Sequence, residues 1–478
     1  MPAFRRIAAF ALMGAALSLS SCKPAAEPAP SKEKRTVGEK PTGEPNLTDF
    51  RKMDFTALPD DFGEAMKIVR KSQKWSSRKK SMKDGATGSD PRERLELKMT
   101  RELLEQASQD GCGFLVNWQL PEGNFRYMYD WVAKDWVDDD HQVRQAGSLW
   151  GIGTCYRYRP SPETKAALDK GLKFWFGHTI DGPEPGTLTM KYPGDKTIHS
   201  GSIALVTLAL VEYLKADAPM DPAYRAELDA KLDGYLKFLQ WMQRDNGLIS
   251  KEFDHSKNQR RQRSSPYYDG ESLLAMTKAA RQLDKAWLVP TIETAAFAMA
   301  KEYTLKSWPK DRDSNQTKGF FQWGSMSFAE YYQAKWKDYE IIGDVGLSLG
   351  WWMTHTHATL KRRRNHAYAI EGLLADWRIA NWRGDVEAQT DLLYTLDRSL
   401  HKLSTWQIGG PLAGENKWLV ANNTDDPMAQ GGVMNAVKPS GAPVKKDVSH
   451  QLRIDVTQHQ MHAVSMALDH VYLPLPTK

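Results

Sequence analysis

The sequence predicts an all-α fold, an (α/α) toroid of about six helical hairpins with a small β-hairpin near residues 113–131. Three observations predict it. From about residue 92 the chain is a succession of apolar-periodic segments of helical length, paired by loops of uneven length. Alternate segments differ in kind: one set is apolar nearly all round and opens on a polar cluster, and the set between carries a charged face. No fixed repeat period runs through them, which argues against a solenoid of identical units.

The N-terminus stands outside this fold. Arg5 and Arg6 precede a short apolar run, Ile7 to Leu19, and Leu19-Ser20-Ser21-Cys22 reads as a lipobox. The run is too short for a transmembrane helix with those flanks. Residues 1–22 are therefore read as a lipoprotein signal peptide with lipidation at Cys22, an ordinary secretory signal being the alternative. Lys23 and Pro24 follow, with no Asp beside the cysteine. The protein is expected in the cell envelope, lipid-anchored, on the outer membrane if the host has two. Residues 23–50, rich in Pro, Ala, Glu, Lys and Gly, are predicted to be a flexible tether. Residues 51–91 form an N-terminal extension with a short helix around Phe62–Val69, broken at Gly85, Gly88, Asp90 and Pro91. The toroid domain is 92–478.

Within it, helices are predicted at 92–109, 141–158, 162–177, 200–215, 222–243, 270–284, 286–305, 325–337, 345–361, 366–381, 385–403 and 458–472. Aromatic, alternating runs at 114–119 and 125–131 flank Pro121-Glu122-Gly123-Asn124 and read as the β-hairpin. The helices opening near 141, 200, 270, 366 and 458, with a weaker case at Ser325, are assigned to the inner ring. The amphipathic helices between them suit the outer ring. Residues 406–457 carry no helix signal and much Gly, Pro and Asn, and are expected to cover the mouth of the cavity.

The net charge is +6 and there are three cysteines. Basic runs at Arg78-Lys79-Lys80, Arg260-Arg261-Gln262-Arg263 and Lys361-Arg362-Arg363-Arg364 are read first as solvated surface, and otherwise as contacts to acidic glycans or lipid headgroups. On an exported chain no nucleic-acid partner is expected. Cys112 and Cys155 either pair or stay as buried thiols; the sequence leaves both open.

Candidate site residues stand at the openings of the inner helices. Asp138-Asp139-Asp140-His141 precedes Arg144, and Asp140 and Arg144 share a helical face. The acids suit capping as well as catalysis. Arg144 lies inside an apolar helix and can fork onto a carboxylate. His199 opens the second helix. In the third, Glu271 beside Tyr267 and Tyr268 is a carboxyl among aromatics, which suits a general acid. His366 and Glu371 open the fifth; being five apart, they do not share a face. Asp455, His459 and His462 align at i, i+4 and i+7 in the last, as hydrogen-bonded site residues or, less favoured, a metal face. The expected assignment is Glu271, Tyr268, Asp140 and Asp455 as catalytic groups, and Arg144, His199, His366, Glu371 and His459 as substrate-binding ones. No metal and no cofactor is called for. Seventeen Trp residues supply either sugar-stacking faces or core filling.

Three segments carry a family likeness: Val143-Arg144-Gln145-Ala146-Gly147-Ser148-Leu149-Trp150, Tyr267-Tyr268-Asp269-Gly270-Glu271-Ser272-Leu273-Leu274-Ala275, and Arg453-Ile454-Asp455-Val456-Thr457-Gln458-His459. With the helix pairs, they resemble the six-hairpin-glycosidase-like (α/α) toroids of bacterial exported proteins, over about residues 100–472. D-glucuronyl epimerase-like and lyase-like toroids are more distant comparisons. Asp269 stands where such segments are expected to have Pro. The resemblance implies carbohydrate chemistry and transfers no catalytic residue. It leads to the expectation of a lipid-anchored carbohydrate-active protein. Such a protein would act on an envelope or imported polysaccharide as a glycoside hydrolase, lyase or epimerase. The alternative is a non-catalytic envelope lipoprotein that binds glycan or a partner protein.

Overall fold

A computed structural model describes residues 44–86, 88–364, 366–438, 440–442 and 450–474. The predicted signal peptide, Cys22 and most of the predicted tether lie outside the described residues. Among those described, no helix is long and apolar enough to cross a membrane.

The helices are α1 Phe62–Ser72, α2 Pro91–Arg94, α3 Arg101–Asn117, α4 Gln142–Tyr158, α5 Pro162–Gly177, α6 Ser200–Lys215, α7 Pro222–Trp241, α8 Pro266–Gln282, α9 Val289–Tyr303, α10 Asn315–Ala334, α11 Tyr339–Trp351, α12 His366–Trp382, α13 Val386–Ser404, α14 Lys417–Ala421 and α15 Ile454–His470. Helices α4, α6, α8, α10, α12 and α15 pack neighbour on neighbour, and α15 returns to α4, closing a ring. These are the helices that open on polar clusters. They are buried on every side; α6, for example, is buried from Ser200 to Leu214. Helices α3, α5, α7, α9, α11 and α13 pack around them, each preceding its inner partner. The result is a toroid of six outer–inner hairpins, as the sequence predicts. Small residues let the inner helices approach closely. A Cβ on Gly201 would collide with the Glu271 carboxylate and the Tyr268 ring.

Short strands trim the ends: β1 Met128–Asp130, β2 Asp135–Val137, β3 Thr179–Asp181, β4 Leu188–Met190, β5 Ile198–His199, β6 Glu252–Asp254, β7 Gln259–Arg260 and β8 Gln451–Arg453. They form antiparallel sheets ordered β2-β1-β8, β3-β4 and β5-β6-β7. The hairpin expected at 113–131 is displaced. Phe114–Asn117 is the last turn of α3, and a lone bridge between Gln119 and Phe125 closes the Pro121–Asn124 turn. The true pairing is β1 with β2. Phe114 and Trp118 are four apart with ring centroids at 4.2 Å and both are buried, so the aromatic run was helical spacing.

Other boundaries differ for identifiable reasons. The first toroid helix begins at Arg101, not 92, because Thr100 caps it and the backbone N–H groups of Lys98 and Met99 are held by Asp397. Helix α10 begins ten residues before the predicted start, behind a Ser314 cap. Helix α11 ends earlier than predicted, in a π-turn at Trp352–Thr356. The predicted tether runs too far: Phe50 is fully buried, edge-on to Trp308 and Trp351. From Pro45 onward the chain is one compact unit. Cys112 and Cys155 form a disulfide joining α3 to α4, with S–S 1.99 Å.

Candidate active site

The N-terminal ends of the inner helices surround a cavity of about 860 Å³. Arg144 lines it from α4, Glu271 and Tyr268 from α8, Lys318, Gln322 and Trp323 from α10, Tyr368 from α12, and Asp455, Gln458 and His459 from α15. The Arg362–Arg364 segment forms one rim. Asn435, from the long segment expected to cover the mouth, reaches the cavity as well.

The floor is organised by Glu371. Its carboxylate accepts from Nδ1 of His459 at 3.0 Å, Nδ1 of His462 at 2.6 Å and Nε2 of Gln322 at 2.5 Å. Burial alone would raise this carboxyl, but His459 and His462 outweigh it and hold Glu371 below the ordinary glutamate range. The network assigns the Nδ1–H tautomer to both imidazoles. Nε2 is then the lone-pair nitrogen of His459, the one of the two histidines that lines the cavity. Tyr368 packs on the His459 ring at 3.9 Å between centroids, and Trp323 meets it edge-on at 5.8 Å. His462 sits deeper, against Trp150 at 4.1 Å, and burial lowers its pKa.

On α8, Glu271 is 4% exposed, and its Oε2 has no hydrogen-bond partner among the described residues. Burial pushes its pKa up to about 8, so it is a carboxylic acid at neutral pH. Tyr268 lies beside it with its hydroxyl 3.2 Å from His199 Nδ1. Burial and then the Glu271 charge raise the phenol above its usual range, so Tyr268 is protonated at neutral pH. His199, lowered by burial, stands behind Tyr268 and off the cavity lining.

The third cluster is Arg144, Asp455, Arg453 and Tyr368. Asp455 Oδ2 accepts from Arg453 at 2.9 Å and Tyr368 at 3.2 Å, and Arg144 Nε lies 3.4 Å away. Burial raises the Asp455 carboxyl, but Arg453 and Arg144 more than offset this, and the group stays ionised. Arg144 also donates to the Tyr127 hydroxyl.

Several predicted site residues are reassigned. Asp140 is outside the cavity lining; its carboxylate accepts from Tyr192 at 2.5 Å and Gln145 at 2.7 Å and anchors the entry to α4. The acids before α4 do not cap it either, since His141 is the cap residue and no side chain caps there. His366 is 2% exposed, faces Trp406 at 6.2 Å and is lowered by burial to about 3; it does not reach the cavity. Glu371 is not among the cavity-lining residues; it lies under the floor and holds His459 and His462. Among the described residues no three His, Cys, Asp or Glu side chains gather as a metal-ligand set. His459 and His462 turn to Glu371, and Asp455 turns to the arginines.

Sequence reasoning missed Lys318, Gln322 and Tyr368, and it put the Arg362–Arg364 run first as solvated surface, with contact to acidic glycans or lipid headgroups as the alternative. The i, i+4 spacing of Lys318 and Gln322 behind the Ser314 cap was the signal available for two of them. Of the tryptophans considered as stacking faces, Trp323 lines the cavity, whereas Trp118, Trp150 and Trp352 are core.

No family model matches the chain, and no curated protein sequence matches it. Solved structures do. A sugar epimerase from a ruminal bacterium superposes with a TM-score of 0.56 at 10% identity, over 77% of this chain and 98% of that one. Cellobiose 2-epimerase from Bacillus thermoamylovorans gives 0.54 at 12% identity, over 76% and 97%. A GH76 α-mannanase from Bacteroides thetaiotaomicron gives 0.50 at 10% identity, over 76% and 95%. At these identities the likeness is one of fold, an (α/α) toroid of helical hairpins.

Proposed function

We propose that the chain is a carbohydrate-active enzyme that moves a proton at a sugar carbon next to a carbonyl, as an epimerase or isomerase does. His459 is the general base and Glu271 the general acid. The observation that carries this reading is the Glu371–His459 contact, which leaves an oriented imidazole lone pair in a cavity that also holds a protonated carboxyl. Helices α15 and α8 are three places apart in a ring of six, so the two groups come from opposite walls. Inversion at carbon needs a base on one face and an acid on the other. In the proposed step His459 Nε2 takes the proton from the carbon beside an open-chain carbonyl. The electron pair moves to the carbonyl oxygen as an enediolate. Glu271 gives its proton to the opposite face of the same carbon as the carbonyl re-forms, and solvent exchange resets both groups. The epimerases among the fold neighbours support this reading.

A second reading is favoured by one observation. Glu271 is protonated and Asp455 ionised, two carboxyl groups whose surroundings push their pKa values apart, as glycoside hydrolysis requires. Incubation with mono- and oligosaccharides in D₂O separates the two. Carbon-bound deuterium that depends on His459 supports the first reading. Release of new reducing ends without exchange sinks it in favour of hydrolysis.

The Leu19-Ser20-Ser21-Cys22 signal supports a lipid-anchored enzyme of the cell envelope acting on an envelope or imported polysaccharide. Radiolabelled palmitate incorporated by the full chain and lost in Cys22→Ser tests the anchor; label retained by the variant refutes it.

A further inference from the structure

The cavity is far more basic than a neutral sugar requires. Arg144, Lys318, Arg362, Arg363, Arg364 and Arg453 line it, against the carboxyl groups of Glu271 and Asp455. Glu271 is uncharged at neutral pH. Asp455 is taken by Arg144 and Arg453. Arg362 is matched by Asp313 at 2.6 Å, and Arg364 has a partner of its own. Lys318 and Arg363 make no ion pair among the described residues.

We propose that Lys318 and Arg363 form an anion subsite at the rim, and that the saccharide taken by this cavity carries an oxyanion, either a uronic carboxylate or a sulfate ester. The proposal rests on the reading of the cavity as a saccharide site and names the class of saccharide.

Three features separate this rim from a solvated charge run. It is built: His357 Nδ1 lies 2.7 Å from Asp313 Oδ1, Arg362 bonds the other Asp313 oxygen, and the Val437 N–H donates to the Arg363 carbonyl at 2.9 Å. The segment from His357 to Arg364 is therefore clamped between the start of α10 and the long covering loop, and the Arg363 side chain starts from a fixed backbone. It is also frustrated: Lys318 is partly buried with Arg364 and Arg362 as neighbours, and the Asp313 carboxylate, itself shared by Arg362 and His357, offsets them only in part. Burial first, then those arginines, lowers its pKa. A bound oxyanion relieves both effects. Finally, it is in register with the chemistry. Lys318 and Gln322 are one helical turn apart on α10, about 6 Å along its axis, and Gln322 touches both Glu371 and His459. Lys318 thus stands one helical turn from the residue that touches the His459 imidazole.

Calorimetry on the full chain tests this at low and moderate salt. The probes are an oligogalacturonate, a sulfated oligosaccharide, a neutral oligosaccharide of the same length, and polyglutamate. At least one anionic sugar is expected to bind tenfold or more tighter than the neutral one, on the order expected of a charge-assisted hydrogen bond. That preference should weaken with salt. Which anionic sugar binds distinguishes carboxylate from sulfate. Lys318→Gln and Arg363→Gln should each remove about tenfold in affinity for the anionic sugar and leave the neutral one alone, at an unchanged melting midpoint. Equal binding of neutral and anionic sugars overturns the proposal. So does equal binding of polyglutamate, or a double variant that binds as the parent does. Binding is read without turnover, so the proposed reaction fails separately. A chain that binds the anionic sugar and exchanges no carbon-bound proton keeps the subsite and loses the reaction. A chain that exchanges carbon-bound protons on a sugar yet binds anionic and neutral sugars equally does the reverse.

Discussion

The Glu371 carboxylate bonds Nδ1 of both His459 and His462, so one buried anion fixes two imidazoles three residues apart on α15. The anion comes from α12, and the pair is 88 residues apart in sequence. A carboxylate in this position does more than hold a ring. It selects which nitrogen carries the proton and stabilises the imidazolium when the other nitrogen accepts one.

Glu371→Gln keeps the shape and removes the charge, and an amide facing two imidazoles no longer selects their tautomer. The expected result is a loss of about 10²-fold or more in kcat, the usual weight of a positioned general base, with KM changed little. Deuterium exchange into the sugar should fall in step with kcat. A folded variant with normal exchange and normal turnover would show that Glu371 serves the fold only.

Glu271 makes the cavity sensitive to alkali. Its pKa is raised by burial to about 8, so the acid is present below that pH and lost above it. The rate should decline as pH rises through about 8, and Glu271→Gln should abolish turnover. Stability moves the same way for a linked reason. A folded pKa above the unfolded value means that the folded state binds more protons between the two, so stability falls as pH rises from about 4.5 to 8. Glu271→Gln should therefore melt higher than the parent at pH 9, with the gap closing toward pH 4. An equal melting difference at both pH values would show that the carboxyl is not buried as described.

The opposite end of the ring gives the reverse sign. Glu212, fully buried, accepts from Lys278 and from Arg157 at 3.2 Å. Burial raises its pKa, but Lys278 and then Arg157 outweigh it and bring it to about 2. This contribution is complete above the unfolded value near 4.5 and is lost as pH falls toward 2. Lys278→Met leaves the carboxylate undercompensated and should destabilise by about 3 kcal/mol in urea titration. Adding Glu212→Leu should recover most of that loss. No recovery in the double variant would mean that packing, not charge, sets the cost.

The ring was legible in the sequence because its six helices are apolar all round and open on polar residues, a pattern that only burial on every side produces. Most of the site was legible only as a list of helix openings. Glu371 and His459 were both picked out, yet nothing local says that one holds the other. His366 carries the same sequence signal as His459 and turns instead into Trp406. The beginning of α10 was lost for a physical reason: Lys318 and Gln322 are polar because they face the cavity and its rim, and that interrupts the apolar period that marks a helix. The residues that made α10 hard to read thus include the ones that reach the site. The arginine run at 362–364 read as surface because charge runs usually are; only the Asp313 and Val437 contacts turn it into a wall.

Phe50 tests where the folded chain begins. It is fully buried between Trp308 and Trp351, although a composition-based boundary puts it in the tether. Phe50→Ala should cost about 3–4 kcal/mol, seen as a lower denaturant midpoint. A change within error would return the residue to the tether.

The Cys112–Cys155 disulfide links outer α3 to inner α4 across a sequence separation of 43. Closing a loop of that length restricts the unfolded chain by about 4 kcal/mol in the entropic account. Loss of the bond through Cys112→Ser with Cys155→Ser should lower stability by about 2–4 kcal/mol. Neither sulfur lines the cavity, so kcat should be unchanged. The bond also bears on compartment, because such links persist where the surroundings are oxidising. Chain made in a reducing cytosol without residues 1–22 should titrate with two free thiols and melt low, and mild oxidation should raise its midpoint to that of exported protein. If the reduced and oxidised forms melt together, the loop closure contributes nothing and the bond is no evidence for export.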